Sequence, residues 1–196
     1  MKERPILFTP DNVQLVREDK KTQTRRIVKT PKWAHQGDPE IEIDSRGLPI
    51  CIEEVSGCFA DIPCPYGMPG DRLWIKEGYL TRLNGDAIIY RNDYTRTYGV
   101  AEAAGFGAMY GGWKSPMFMP REYSRVILEI THVRAERLLE ISEEDAQAEG
   151  IDDAWLVKNH IAPPYSQAYF FLWDSINGVH SHKEDPLVWA ITFKKL

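Results

Sequence analysis

Six consecutive residues, Lys21-Thr22-Gln23-Thr24-Arg25-Arg26, bring three cations, two hydroxyls and an amide together. Such a set holds enough donors to surround a phosphate or the polar edge of a base. Lys21, Arg25 and Arg26 would supply charge, and Thr24 a hydroxyl. Taken alone, the segment also fits a solvated basic face that follows a helix. Lys20, Lys29 and Lys32 extend the basic run, whereas acids dominate from Glu140 to Asp153. Elsewhere, Trp74 is suited to stacking on a base or to ordinary packing. Glu77 lies beside Ile75, and an inward carboxylate there needs a cationic partner such as Lys21 or Arg26. Arg121 and Arg125 suit either a phosphate contact or a surface charge. No metal site and no cofactor are expected. Cys51, Cys58 and Cys64 lack Cys-x-x-Cys spacing, and His180-x-His182 has no obvious third ligand. Gly105 to Gly112 has neither the P-loop lysine nor the Rossmann spacing.

These residues need elements to hold them. Thr9-Pro10-Asp11 combines a hydroxyl cap, a proline at the first helical position and an acid in the first turn, which predicts a short helix through Val13 and Val16. Thr24 to Lys29 reads as a strand, with Lys21 to Thr24 at the junction. Ile41 and Ile43 are expected to face Ile50 and Ile52 in a hairpin across Ser45-Arg46-Gly47. Gly67-Met68-Pro69-Gly70-Asp71 is a turn signal. The strand after it, Arg72 to Tyr79, puts Leu73 and Ile75 on one face and Trp74 and Lys76 on the other. Ala87 to Tyr90 is a further short strand, and glycine-rich Tyr98 to Pro120 reads as a long loop. Arg125 to Val133 alternates again. Ser142-Glu143-Glu144-Asp145 opens a short helix that places Glu149 at its end, before Gly150. Pro163-Pro164 opens a second helix with a stripe of Tyr169, Leu172, Trp173 and Ile176, and the chain closes on a strand from Leu187 to Phe193. Short strands and intermittent helices without βαβ alternation favour an α+β small barrel with peripheral helices over a doubly wound sheet.

A chain of 196 residues, 43% hydrophobic, can bury one core and is expected to form one domain over residues 1–196. A net charge of −5 opposes unspecific coating of duplex DNA, so any nucleic-acid site must be local. The opening residues lack a signal-peptide core, and no apolar run is long enough to span a bilayer. Three cysteines confined to one region suit reduced thiols and a cytoplasmic protein without a membrane partner.

Beyond these local readings, the sequence resembles the ASCH family, whose domains are similar in fold to the PUA domain and carry the signature Gly-x-Lys-x-x-Glu-x-Arg. Lys21 and Arg26 match it, while Asp19 and Thr24 stand where it has glycine and glutamate. Gly70-Asp71-Arg72-Leu73-Trp74-Ile75-Lys76-Glu77 looks like the family's following turn and strand. Ser142 to Gly150 looks like its later acidic helix. The chain is particularly similar to longer family members of bacteriophages and prophages, in which Lys-Thr-Gln-Thr-Arg-Arg precedes Cys-Pro-Tyr-Gly-x-Pro-Gly-Asp. Residues 30–65 and 80–120 would be insertions outside the minimal domain. The resemblance implies a PUA-like barrel that binds RNA or a modified nucleoside, with Arg25, Arg26, Trp74, Glu77 and Arg125 as ligand-binding candidates. The family's small amidohydrolases remove the acetyl group of N4-acetylcytidine with a lysine, a threonine and a glutamate, which by position are Lys21, Thr24 and Glu149. The alternatives are a ribonuclease built on the same cluster and a non-catalytic phage protein that contacts a partner through its insertions.

Overall fold

The structure, a computed structural model, describes residues 1–29, 40–44, 48–53, 58–81 and 88–196. In chain order the elements are β1 (Glu3–Leu7), α1 (Pro10–Arg17), β2 (Gln23–Ile27), β3 (Glu40–Ile43), β4 (Pro49–Glu53), β5 (Cys58–Asp61), β6 (Arg72–Lys76), β7 (Tyr79–Thr81) and β8 (Ile88–Tyr90). There follow α2 (Arg91–Tyr98), α3 (Val100–Met109), β9 (Ile127–Arg137), α4 (Glu143–Ala148), α5 (Asp153–Asn159), α6 (Tyr165–Asn177) and β10 (Leu187–Lys195). The chain forms two compact units, each assembled from separated stretches of sequence. No described helix is long and apolar enough to cross a membrane.

The first unit comprises residues 1–20, 70–129 and 194–196. Here β1 runs parallel to β6, with Ile6 opposite Ile75, and β6 pairs antiparallel with the start of β9, with Leu73 opposite Leu128. Alternation along β6 buries Leu73 and Ile75 and leaves Trp74 and Lys76 half-buried, as period two requires. Helix α1 starts where its local chemistry dictates: Thr9 Oγ1 accepts from the Asn12 backbone N–H at 3.3 Å, and Val13 and Val16 face the core. Tyr98 to Pro120 departs from the expected loop. Gly99, at φ 88°, ends α2 and a separate helix, α3, begins beyond it, because Ala101 to Ala108 is rich in alanine, whose helix preference outweighs the cost of Gly105 and Gly107.

The second unit comprises residues 21–69 and 130–193. Within it β10 pairs antiparallel with β2, Thr24 opposite Ile191, and the other edge of β10 is occupied by β9. Leu187 to Ile191 are all buried, which explains why this strand reads as a continuous apolar run. Its core gathers Leu138, Ile141, Ile151, Leu156, Tyr169 and Trp173 around Val188. Ser142 Oγ accepts from the Asp145 N–H at 3.1 Å and starts α4. The stripe on α6 buries Tyr169 and Trp173, but Ala168 replaces Ile176, which is 55% exposed. Helix α5, capped by Asp152, had no counterpart in the periodicity reading.

A separate antiparallel sheet holds β3, β4 and β5. The hairpin register differs by one residue from expectation: Ile41 pairs with Cys51 and Ile43 with Pro49, because Asp44 and Leu48 close the connection. The turn Ser45-Arg46-Gly47, Lys32 and Ala87 lie outside the described residues. The fold is mixed α and β, and in neither unit do the described strands close into the small barrel expected from the sequence.

Candidate functional site

Lys21 enters just before β2, at a corner fixed by backbone hydrogen bonds. The Thr22 N–H donates to the Ala148 carbonyl and the Thr22 carbonyl accepts from Phe193, both at 2.8 Å. This brings Lys21 to the C-terminal end of α4, where Glu149 caps the helix and Gly150 turns the chain away at φ 98°. Lys21 Nζ donates to Glu149 Oε2 at 2.5 Å and to the Glu149 carbonyl at 2.7 Å. An ammonium is favoured there twice, by the carboxylate and by the carbonyl end of a helix. Lys21 is 2% exposed and Glu149 3%. Burial pulls the Lys21 pKa down, and Glu149 offsets part of that shift.

Two residues along β2, the pleat points Gln23 and Arg25 the same way. Arg25 becomes the hub of a buried network. Its Nε and Nη2 donate to Glu136 Oε1 at 2.9 and 2.6 Å, and Nη2 also donates to Asp145 Oδ2 at 2.8 Å. Its Nη1 reaches Gln23 Oε1 at 2.7 Å and Glu149 Oε1 at 3.4 Å. Arg134 shares both acids, donating to Glu136 Oε2 at 2.6 Å and to Asp145. Lys21, Arg25 and Arg134 thus face Glu136, Asp145 and Glu149, a balanced set that offsets the cost of burial. Burial opposes the charge on Arg25, but Glu149 and Glu136 outweigh it and raise its pKa. Tyr169 donates its hydroxyl to Glu149 Oε1 at 3.4 Å, and burial together with that carboxylate pushes its pKa well up.

Thr24 and Arg26 alternate with this pair along the strand. Arg26 Nη1 donates to Thr24 Oγ1 at 2.9 Å and to the Arg25 carbonyl at 3.0 Å. Thr24 is 1% exposed, and Arg26 is half-buried. Of the three candidate catalytic groups, Lys21 and Glu149 meet directly, while the hydroxyl of Thr24 is held by Arg26. Sequence reading missed Glu136, Asp145, Arg134 and Tyr169 as members. The alternation Arg134-x-Glu136 at the end of β9 carried a signal for two of them, whereas Tyr169 was concealed in an apolar stripe.

Trp74, Glu77 and Arg125 belong to the first unit. Lys76 Nζ sits 5.2 Å from the Trp74 ring centroid. The buried Glu77 is paired with Arg125 rather than with Lys21 or Arg26: Arg125 Nε and Nη2 donate to its two oxygens at 2.8 Å each. Arg125 also donates to Asp93 and lies 3.7 Å over the Tyr90 ring. Burial works against this cation, yet Glu77 and Asp93 raise its pKa. Arg121 donates to Glu3 at 2.9 Å. Cys51 and Cys64 are buried, and His182 Nδ1 lies 2.8 Å from Asp174. Among the described residues no three His, Cys, Asp or Glu side chains are grouped to hold a metal.

No family model and no curated protein matches the chain. Among solved structures it is similar to an ASCH domain from Lactobacillus crispatus JV V101, with 14% identity and a TM-score of 0.39 over 99% of this chain and 79% of that one. It is likewise similar to a protein of Enterococcus faecalis V583 described under the DUF984 family model, with 14% identity and a TM-score of 0.40 over 100% of this chain and 81% of the other. At these values neither protein lends a residue role to this chain.

Proposed function

We propose that the second unit is an ASCH-type, PUA-like module of phage or prophage kind that binds RNA or a modified nucleoside at the corner of β2 and α4. Its main support is the 2.5 Å approach of Lys21 Nζ to Glu149 Oε2, residues 128 positions apart that the fold joins beside Thr24 and Arg26. A buried ion pair adds little to stability over an apolar pair of similar volume, so function is a reason to have one. The half-buried Arg26 supplies donors for a polar base edge or a phosphate, whereas Arg25, expected as a second ligand contact, is buried with its donors spent on Glu136, Asp145, Gln23 and Glu149. The buried thiols Cys51 and Cys64 suit a cytoplasmic setting.

The same contact favours a second reading, hydrolysis of an N4-acylated cytidine. In this reading Lys21 must act as a neutral amine that takes a proton from Thr24 or water as it attacks the acyl carbonyl; burial, which lowers the Lys21 pKa, works toward that form and Glu149 works against it. The proton taken by Lys21 passes along its hydrogen bond to Glu149, which gives it to the departing exocyclic amine of cytosine, and where Thr24 is the nucleophile a water then hydrolyses the acyl-threonine. The test is to incubate the protein with N4-acetylcytidine and with short RNAs, following binding and breakdown separately. Release of cytidine that falls at least 100-fold in Thr24→Val supports hydrolysis, RNA cleavage points to a ribonuclease, and affinity without turnover supports binding alone. If neither nucleosides nor RNAs bind to the folded wild-type protein, the proposal fails.

A further inference from the structure

The first unit contains a cavity of about 360 Å³ whose walls come from three places in the chain. Phe8 and Pro10 enter it from the start of α1, Glu77 and Gly78 from the end of β6, and Arg91, Asn92 and Trp113 to Pro116 from the stretch expected to be an insertion. Asn92 is its unusual member. The residue is only 6% exposed, and its buried Nδ2 has no hydrogen-bond partner. An unsatisfied buried donor costs about 1–3 kcal/mol, so a cavity lined by one is short of an acceptor.

The surroundings indicate what kind of acceptor. Arg91 is exposed at the cavity and makes no ion pair among the described residues, and Lys114 lines the same space. Arg91 and Asn92 open the eight-residue α2, where the Arg91 N–H donates to the Gly78 carbonyl at 2.8 Å and Asp93, the acid of the same turn, is held by Arg17 and Arg125. The acid in the lining is already neutralised: both oxygens of Glu77 accept from Arg125. Trp113 and Phe8 contribute aromatic surface. The Trp113 ring is held in place by the hydrogen bond from its Nε1 to the Ala103 carbonyl at 2.6 Å. A fixed aromatic wall, a buried donor and paired cations are the parts of a site for a flat ring bearing a negative charge.

We infer that this cavity binds a small organic anion built on a planar ring, its ring acceptor meeting Asn92 and its phosphate or carboxylate meeting Arg91 and Lys114. Nucleoside monophosphates and aromatic carboxylates share that chemistry. The residues concerned are all distinct from Lys21, Thr24 and Glu149, so the site stands or falls independently of the function proposed for the second unit.

The full chain is titrated calorimetrically, and by amide chemical shifts in NMR, with uridine and adenosine monophosphates, with benzoate and indole carboxylates, and with inorganic phosphate. One of the ring-bearing groups is expected to bind, and which one does so identifies the source. Charge reversal in the exposed Arg91→Glu and Lys114→Glu variants should weaken that binding at least tenfold, as should the near-isosteric Asn92→Asp, while the exposed Lys158→Glu of the second unit leaves it unchanged. Thermal melts establish that each variant is folded, and the two surface variants keep the test valid if Asn92→Asp is not. The inference is overturned if no ring-bearing anion binds, if phosphate alone binds as tightly, or if binding survives both charge reversals.

Discussion

Arg25 is the residue on which the buried network turns, and its five donors explain why a lysine could not replace it. The guanidinium spans Glu136, Asp145, Gln23 and Glu149 at once, whereas an ammonium is a single point of charge. Arg25→Lys is expected to lower stability by about 2–3 kcal/mol in urea denaturation, since it leaves buried carboxylates short of donors. For the pair beside it, Glu149→Gln alone should cost about 3–5 kcal/mol, because Lys21 stays buried without its counter-charge. Lys21→Met combined with Glu149→Leu should recover part of that loss. Equal loss in the single and double variants would show that the ion pair does not set the penalty. Part of this was legible early: Lys21, Thr24, Arg25 and Arg26 stand out by type and spacing, and Glu149 was indicated by the resemblance to the ASCH family. Their partners did not, because Glu136 and Asp145 look like any surface acid until strand pairing and helix packing bring them onto one guanidinium.

Elements behave in the same way where their ends are chemically marked. Thr9, Ser142 and Asp152 all cap helices through side chains that accept a backbone N–H. The 3-10 turn Ser181–Glu184 is tied differently, through Asp174 near the end of α6. Its carboxylate accepts from the His180 and His182 N–H groups, both at 3.0 Å, and meets the His182 ring. Burial opposes that charge, but these donors hold the Asp174 pKa down to about 2. The folded value lies below the ordinary one of about 3.9, so the contribution is complete above about pH 4 and is lost as pH falls toward 2. NMR titration should show the amides of His180 and His182 shifting over that interval, and Asp174→Ala should abolish the acid-dependent step. In α3, Gly107 leaves room for the Trp113 ring, and a Cβ there would overlap it. Helix propensity would favour Gly107→Ala by about 1 kcal/mol. Overpacking costs about 1–3 kcal/mol, and the tether from Trp113 to Ala103 prevents easy relief. Net destabilisation is therefore expected in thermal melts, and a stabilised variant would show that the ring moves freely. The helices of this region escaped periodicity because their glycines resemble loop punctuation.

Across the molecule, each unit draws on stretches of sequence that are far apart, and this governs how the chain can be divided. Residues 70–129 contain most of the first unit but not β1, whose parallel pairing with β6 covers five residues. A fragment limited to 70–129 is expected to show little ordered structure by circular dichroism, while addition of residues 1–20 through a linker should restore part of it. A folded 70–129 fragment would mean that β6 needs no partner on that edge. Caps, turns and the two-residue alternation of β6 and β9 follow from neighbours a few positions away, and the amino-acid order is enough to specify them. The pairing of Lys21 with Glu149, of Glu77 with Arg125, the register of Ile41 on Cys51 and the open edges of the sheets depend on segments distant in the chain. Which charge meets which is settled only when packing brings those segments together, since many arrangements satisfy the same local rules and burial selects one in which Lys21, Glu77, Arg125 and Glu149 are compensated.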